Sequence, residues 1–195
     1  MSELSRADIL SLDEFRAVRQ RQLAEVLATQ AVRRIAVGEH LTLLFENRTT
    51  MRWQIHEMCR VEGLQGAAID HELQTYNALM PRKDELSATL LVEYEDAEER
   101  ARELRRLVGL DQHLALDLDG LGPIRGRFDH EQFNDERISA VQFVRFAVPH
   151  EVQLGLADLD RGARIFADHP VYNATVDLSR ATRGALLDDL AQAAR

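Results

Sequence analysis

Leu41-Thr42-Leu43-Leu44-Phe45 runs straight into Glu46-Asn47-Arg48, and Trp53-Gln54-Ile55-His56-Glu57-Met58 follows. The first segment alternates Leu41, Leu43 and Phe45 with Thr42 and Leu44, the period of a strand. Asn47 is a helix N-cap, because its side-chain oxygen can accept the free amides of the first turn. Gly63 closes the helix that Asn47 opens. A strand feeding directly into a capped helix is therefore the unit from which the fold is read.

Working outward, Ser11-Leu12-Asp13-Glu14 fits a capping box. Phe15, Val18, Leu23, Val26 and Leu27 recur behind it at helical spacing, predicting a helix over 11–31. A further helix over 67–80 stops at Pro81. Beyond Pro81 the pattern turns mostly to period two. Strands are predicted over 87–94, 114–118, 124–129, 137–148, 163–168 and 172–178, a charged helix over 96–108, and a terminal helix capped by Ser179. Helices first and a meander of strands afterwards predict an α+β protein. Its helical N-terminal half packs on one mainly antiparallel sheet of about five to seven strands, with a C-terminal helix, as a single domain over 1–195.

On a helical wheel, Met51, Ile55, Met58, Cys59 and Val61 share an arc that contains Gln54. On the next helix Ile69, Leu73, Tyr76, Leu79 and Met80 form an arc that contains Glu72. Burying an amide or a carboxylate is costly unless it is partnered, so Gln54 and Glu72 are both expected to be buried and hydrogen-bonded. Glu46, Asn47, Arg48 and Tyr76 are the nearest partners by sequence. The functional reading is a polar pocket, with Glu46 or Glu72 as base or metal ligand and Arg48 holding an anion. The structural reading is a satisfied network that fixes the strand–helix junction, with Arg48 pairing a carboxylate. The structural reading is preferred.

His56-Glu57 has the start of a zinc-protease helix, but the second histidine that motif needs falls on Arg60. His56 falls on the polar side of its helix together with Trp53. An exposed tryptophan marks a contact surface, unless the N-terminal helix covers it. Cys59 lies on the apolar arc and reads as inert core. Asp168-His169-Pro170 offers a metal pair or, more cheaply, a turn in which the aspartate bonds to backbone. Gln142 shares a strand face with Ile138, Ala140, Val144 and Phe146 and needs an internal partner, and Ser139 is polar among the same apolar neighbours. No metal site is assigned, and no cofactor motif is found.

The chain of 195 residues carries a net charge of −9, which argues against nucleic acid as a partner. Of the 24 basic residues only Lys83 is a lysine. One cysteine, Cys59, excludes an intrachain disulfide and a cysteine-held cluster. No apolar stretch approaches the roughly 20 residues of a membrane helix, and no basic segment with an apolar run opens the chain. A cytoplasmic protein is expected.

Phe45-Glu46-Asn47-Arg48, Gln54-Ile55-His56-Glu57-Met58, Tyr76-Asn77-Ala78-Leu79, Glu85-Leu86-Ser87-Ala88-Thr89-Leu90 and Arg137-Ile138-Ser139-Ala140-Val141-Gln142-Phe143 together resemble the bacterial family called domain of unknown function 3501. The likeness runs from Ser5-Arg6-Ala7-Asp8-Ile9-Leu10 to Asp168-His169-Pro170 and Tyr172. His56 stands where the resemblance implies glutamine. No catalytic residue is established for the family. The resemblance implies an association with rubrerythrin-like proteins and iron–sulfur oxidoreductases, and so an accessory role in peroxide or electron-transfer metabolism. Two functions follow as expectations. One is a non-enzymatic accessory or binding protein that docks such a partner. The other is a small-molecule or metal-dependent enzyme using Glu46, Arg48 and Glu72. A homo-oligomer subunit is a third reading, and it requires a large apolar surface.

Overall fold

In the computed structural model, residues 3–129 and 136–194 are described. The capping signals set the helix ends. Ser11 accepts the Glu14 amide while the Glu14 carboxylate receives the Ser11 amide at 2.9 Å, starting α1 (Leu12–Ala31). β1 (Arg34–Val37) and β2 (Leu41–Phe45) form a hairpin. Asn47 caps α2 (Arg48–Glu62), and Gly63 closes it in the left-handed region at φ 65°. α3 (Ala67–Leu79) ends before Pro81, followed by β3 (Glu85–Val92) and α4 (Ala97–Arg106), capped by Asp96. Then come β4 (Leu114–Leu118), β5 (Gly122–Arg125), β6 (Arg127–Phe128), β7 (Val141–Ala147), α5 (His150–Ala157), β8 (Ala163–His169), β9 (Tyr172–Asp177) and α6 (Arg180–Ala193). The protein is α+β, with every strand pair antiparallel and a C-terminal helix that starts at Ser179. No described helix is long and apolar enough to cross a membrane.

The strands form two sheets rather than the one expected. Their orders are β1-β2-β3-β7-β6 and β5-β4-β8-β9. The division occurs at Gly126. The segment read as one strand over 124–129 breaks there, so that β5 pairs with β4 and β6 pairs with β7. A side chain at Gly126 would lie 2.6 Å from the Val144 methyl group, so only glycine lets the chain change sheets this close to β7. β1 and α5, which the sequence pattern had not indicated, complete the two layers. β1 is only four residues long, and α5 is eight.

Within the first sheet, Leu43 pairs with Leu90 and Leu90 with Gln142, while Phe45, Ala88, Val144 and Phe128 form a continuous row. In the second, Leu116 pairs with Ile165 and Leu114 with Ala167. These residues other than Gln142, with Leu104 of α4, Leu107 just after it, and Leu186 and Leu190 of α6, belong to one buried cluster. Fully burying a leucine or phenylalanine contributes about 1.5–3 kcal/mol, so this shared core holds the sheets together. A smaller cluster (Leu4, Met51, Ile55, Cys59, Leu73, Met80) lies where the segment before α1 meets α2 and α3.

One side chain also stitches the sheets directly. The Tyr172 hydroxyl of β9 donates to the Val37 carbonyl at 2.7 Å and accepts the His40 amide at 3.0 Å. Gly38 in the β1–β2 turn has φ 75°, and a Cβ there would lie 2.6 Å from that hydroxyl. The turn thus needs glycine for both its backbone and its neighbour. Tyr172→Phe should lower stability by about 1–3 kcal/mol, the cost of stranding the amide and the carbonyl. Gly38→Ala should lower it by at least as much, since strain and overlap act together. Urea unfolding of both variants measures the effect.

Candidate functional site

The β2–α2 junction places Glu46 at the end of a strand buried on both faces. Glu46 is 4% exposed. Its carboxyl group meets the Thr50 hydroxyl at 2.5 Å and the Thr89 hydroxyl at 2.6 Å. Burial pushes its pKa up, against the pull of those two hydroxyl hydrogen bonds. Asn47 does more than cap. Its Oδ1 accepts the Thr49 and Thr50 amides, and its Nδ2 donates to Asp189 Oδ1 at 3.1 Å. Asp189, on α6 and 1% exposed, is also gripped by Arg33 through two bonds of 2.8 and 3.0 Å. Arg48 points the other way and donates to Asp8 at 2.6 Å. That hydrogen bond leads the causes that hold the Asp8 carboxyl down at about 2.

The other residues read from the sequence do not join this network. Gln54 and Glu72 are half-buried, and neither side chain makes a hydrogen bond to the described residues. Tyr76 is also half-buried; burial raises its pKa, with smaller contributions from the charges of Glu72, Glu62 and Glu46. The helical phase explains the difference. The buried positions of α2 are Thr50, Met51, Ile55, His56 and Cys59, whereas Val61 is 67% exposed. The buried stripe is thus rotated toward His56 and away from Gln54, because α1 packs on that side.

His56 is accordingly buried, not on a polar face as its sequence position suggested. Only 1% exposed, it stacks on Phe15 of α1 at 4.6 Å. Its Nε2 accepts the Leu10 amide at 3.0 Å, so the proton belongs on Nδ1, which has no hydrogen-bond partner among the described residues. Burial, followed by the Arg52 charge, lowers its pKa to about 4. Trp53 is half-buried under the same helix, edge-on to Phe15 at 5.6 Å with the Arg19 guanidinium 5.6 Å from its ring centre. Cys59 is buried, and burial raises its thiol pKa.

Elsewhere, Asp168 does not make the backbone-bonded turn. Arg125 grips it bidentately at 2.9 Å, and the His113 ring lies 3.0 Å away. Gln142, fully buried, donates to the Ser139 carbonyl at 3.0 Å, while its Oε1 has no described partner. No group of three or more acidic, histidine or cysteine side chains among the described residues has metal-holding geometry.

Sequence reasoning missed two buried charges on α6. Asp189 and Arg183 lie in the stripe of Thr182, Leu186 and Leu190. The same wheel test that singled out Gln54 and Glu72 would have flagged them. Arg183 is 4% exposed and donates to the carbonyls of Leu156, Arg161, Gly155 and Asp158, closing the C-terminal end of α5. A cation there suits the negative end of the helix.

Taken together, the fold and the junction define an α+β protein whose best-connected polar residues are bonded to one another. The sequence profile described as "Protein of unknown function (DUF3501)" matches residues 3–190, and the chain belongs to that family. A solved structure from Burkholderia pseudomallei K96243, described as a novel protein of unknown function, is similar at 34% identity and a TM-score of 0.89. The match covers 97% of this chain and 100% of that one. The search of curated proteins finds no match.

Two titrations follow. Glu46 has a raised pKa, so its contribution to stability is present below about pH 4.3, its unfolded value, and is lost as pH rises through the folded value. Glu46→Gln should therefore be at least as stable as the parent at pH 8, with the advantage vanishing near pH 4 where the parent is protonated. His56 has a lowered pKa. Its neutral form is favoured on folding, so stability is full above about pH 6.5 and falls as pH drops toward 4. His56→Gln should flatten that limb. Thermal unfolding midpoints across pH 4–8 read both effects.

Proposed function

We propose that this chain is a non-enzymatic accessory protein that works by binding another protein. The observation that supports this reading is the internal pairing of the junction. Glu46 closes on two threonines, Asn47 on Asp189, and Arg48 on Asp8, and these bonds tie α2 to β3, to α6 and to the segment before α1. An enzyme using Glu46, Arg48 and Glu72 would need them to share an open cavity. The cavities of 760 and 620 Å³ among the described residues are lined elsewhere, one around His40 and Tyr94 and the other around Asn77 and Arg82.

The partner class that fits the family resemblance is an iron–sulfur oxidoreductase or a rubrerythrin-like protein. Such a partner would supply the redox centre, and this chain a folded acidic surface of net charge −9. The test is affinity purification of the tagged chain from its native organism under anaerobic conditions, with ultraviolet–visible spectra of the eluate. Stoichiometric recovery of an iron-containing protein is the expected result. Repeated recovery of the chain alone, with wild-type and Glu46→Gln protein equally solitary, would overturn the reading.

A further inference from the structure

The open end of the first sheet carries a groove that the junction does not use. Its volume is about 760 Å³. Leu91 and Val92 of β3, with Ala140 and Val141 at the start of β7, form part of its wall, and Val141 is left 45% exposed. His40 and Tyr94 lie in the same wall with their rings stacked 3.9 Å apart and 18° from parallel. The His40 ring nitrogen bonds to the Glu93 carbonyl at 3.1 Å, and the Glu93 amide donates to the His40 carbonyl at 2.8 Å, so His40 is tied to the residue that precedes Tyr94. The groove therefore offers apolar and aromatic surface on a rigid frame.

Its charge is one-sided. Among the described residues four carboxylates line it, Glu39, Glu93, Glu95 and Glu99, against one arginine, Arg100. Arg100 is turned inward, donating to the Tyr94 carbonyl at 3.0 Å. Glu93 is matched internally by Arg34 at 2.8 Å and by the Thr42 hydroxyl at 2.6 Å. Glu99 has Arg102 at 3.7 Å. Among the described residues Glu95 makes no ion pair, and Glu39 pairs with the His40 ring alone, at 4.0 Å. Two carboxylates thus flank an aromatic and aliphatic wall without an arginine ion pair among the described residues.

We infer that this groove docks an arginine-containing, apolar-interleaved segment of the partner protein. The inference rests on the accessory-protein reading above and names the chemistry of its contact. A guanidinium is planar, stacks on aromatic faces and forks onto carboxylates, which matches a wall of stacked rings beside Glu39 and Glu95. The aliphatic surface at Leu91 and Val141 calls for apolar side chains between the arginines, which a small ammonium ion does not provide. Opposite charge across the rim steers the encounter and weakens as salt screens it.

The probe is a blocked decapeptide of alternating arginine and valine, titrated into the isotope-labelled full chain and followed by amide chemical shifts. Shifts are expected at Glu93, Tyr94, Glu95 and Val141. Affinity should fall about tenfold or more in Glu39→Gln/Glu95→Gln/Glu99→Gln, or on raising salt from about 50 to 300 mM. These three side chains are solvent-facing, and an unchanged urea midpoint for the triple variant confirms that it is folded. Any of four outcomes overturns the inference: no shifts at the groove, equal binding to the triple variant, equal binding of the matched glutamate–valine peptide, or the same shifts from argininamide alone, which would mark a small-cation site. Self-association of the parent that the triple variant abolishes would instead assign the groove to a second copy of this chain and would also overturn it. If a native partner copurifies equally with parent and triple variant, the accessory function stands and only this assignment of the groove fails.

Discussion

The carboxylate of Asp189 is the group on which the arrangement of helices depends. It is buried in α6 and receives three hydrogen bonds, two from Arg33 and one from Asn47. Arg33 follows the end of α1 and donates to the Thr29 carbonyl in that helix's last turns. Asn47 caps α2. One acidic side chain therefore binds the end of α1, the start of α2 and the middle of α6. Breaking a buried pair of this kind costs about 3–5 kcal/mol, because the remaining charge stays uncompensated. Arg183 extends the same logic nearer the start of α6, where it satisfies the Gly155 and Leu156 carbonyls at the end of α5.

Around that helix the two sheets are held by complementary means. The shared apolar core is non-directional and would tolerate small slips. Direction comes from Gly126, where the chain crosses from one sheet to the other, and from the Tyr172 hydroxyl, which reaches the β1–β2 turn. Both depend on glycine at a place where a side chain would collide. The junction at Glu46 lies on the opposite face of the first sheet, bridging Thr89 of β3 to Thr50 of α2. Its polar groups are thus part of the same framework that positions the helices.

This division of labour separates the parts of the molecule that hold it together from those free to act. Within Phe45-Glu46-Asn47-Arg48, the last three side chains bond to Thr50 and Thr89, to Asp189 and to Asp8 respectively. The groove beside His40 and Tyr94 has no comparable internal duty at Glu39 and Glu95. The similar protein of unknown function from Burkholderia pseudomallei shares this fold over its full length.

Local chemistry made much of the architecture legible in the sequence. Ser11 with Glu14, Asn47, Gly63, Asp96 and Ser179 mark helix ends through bonds made within a few residues, and period-two runs mark most strands. Glu46, Asn47 and Arg48 were correctly placed at a strand–helix junction for the same reason. What the sequence alone left undecided depended on contacts between distant segments. His56 falls on the polar side of the α2 wheel, yet Phe15 of α1 covers it, and that contact rotates the whole buried stripe of α2 away from Gln54. Glu72 was phased inward by its neighbours, but the helices packed on α3 leave it at the margin. Asp189 meets Arg33 across 156 positions, and the strands divide into two sheets at a glycine whose constraint comes from Val144. Hydrogen bonds within a helical turn are written in adjacent residues. The facing of a helix, the partner of a buried charge and the sheet a strand joins are set by which surfaces meet, and so they were decided by tertiary packing.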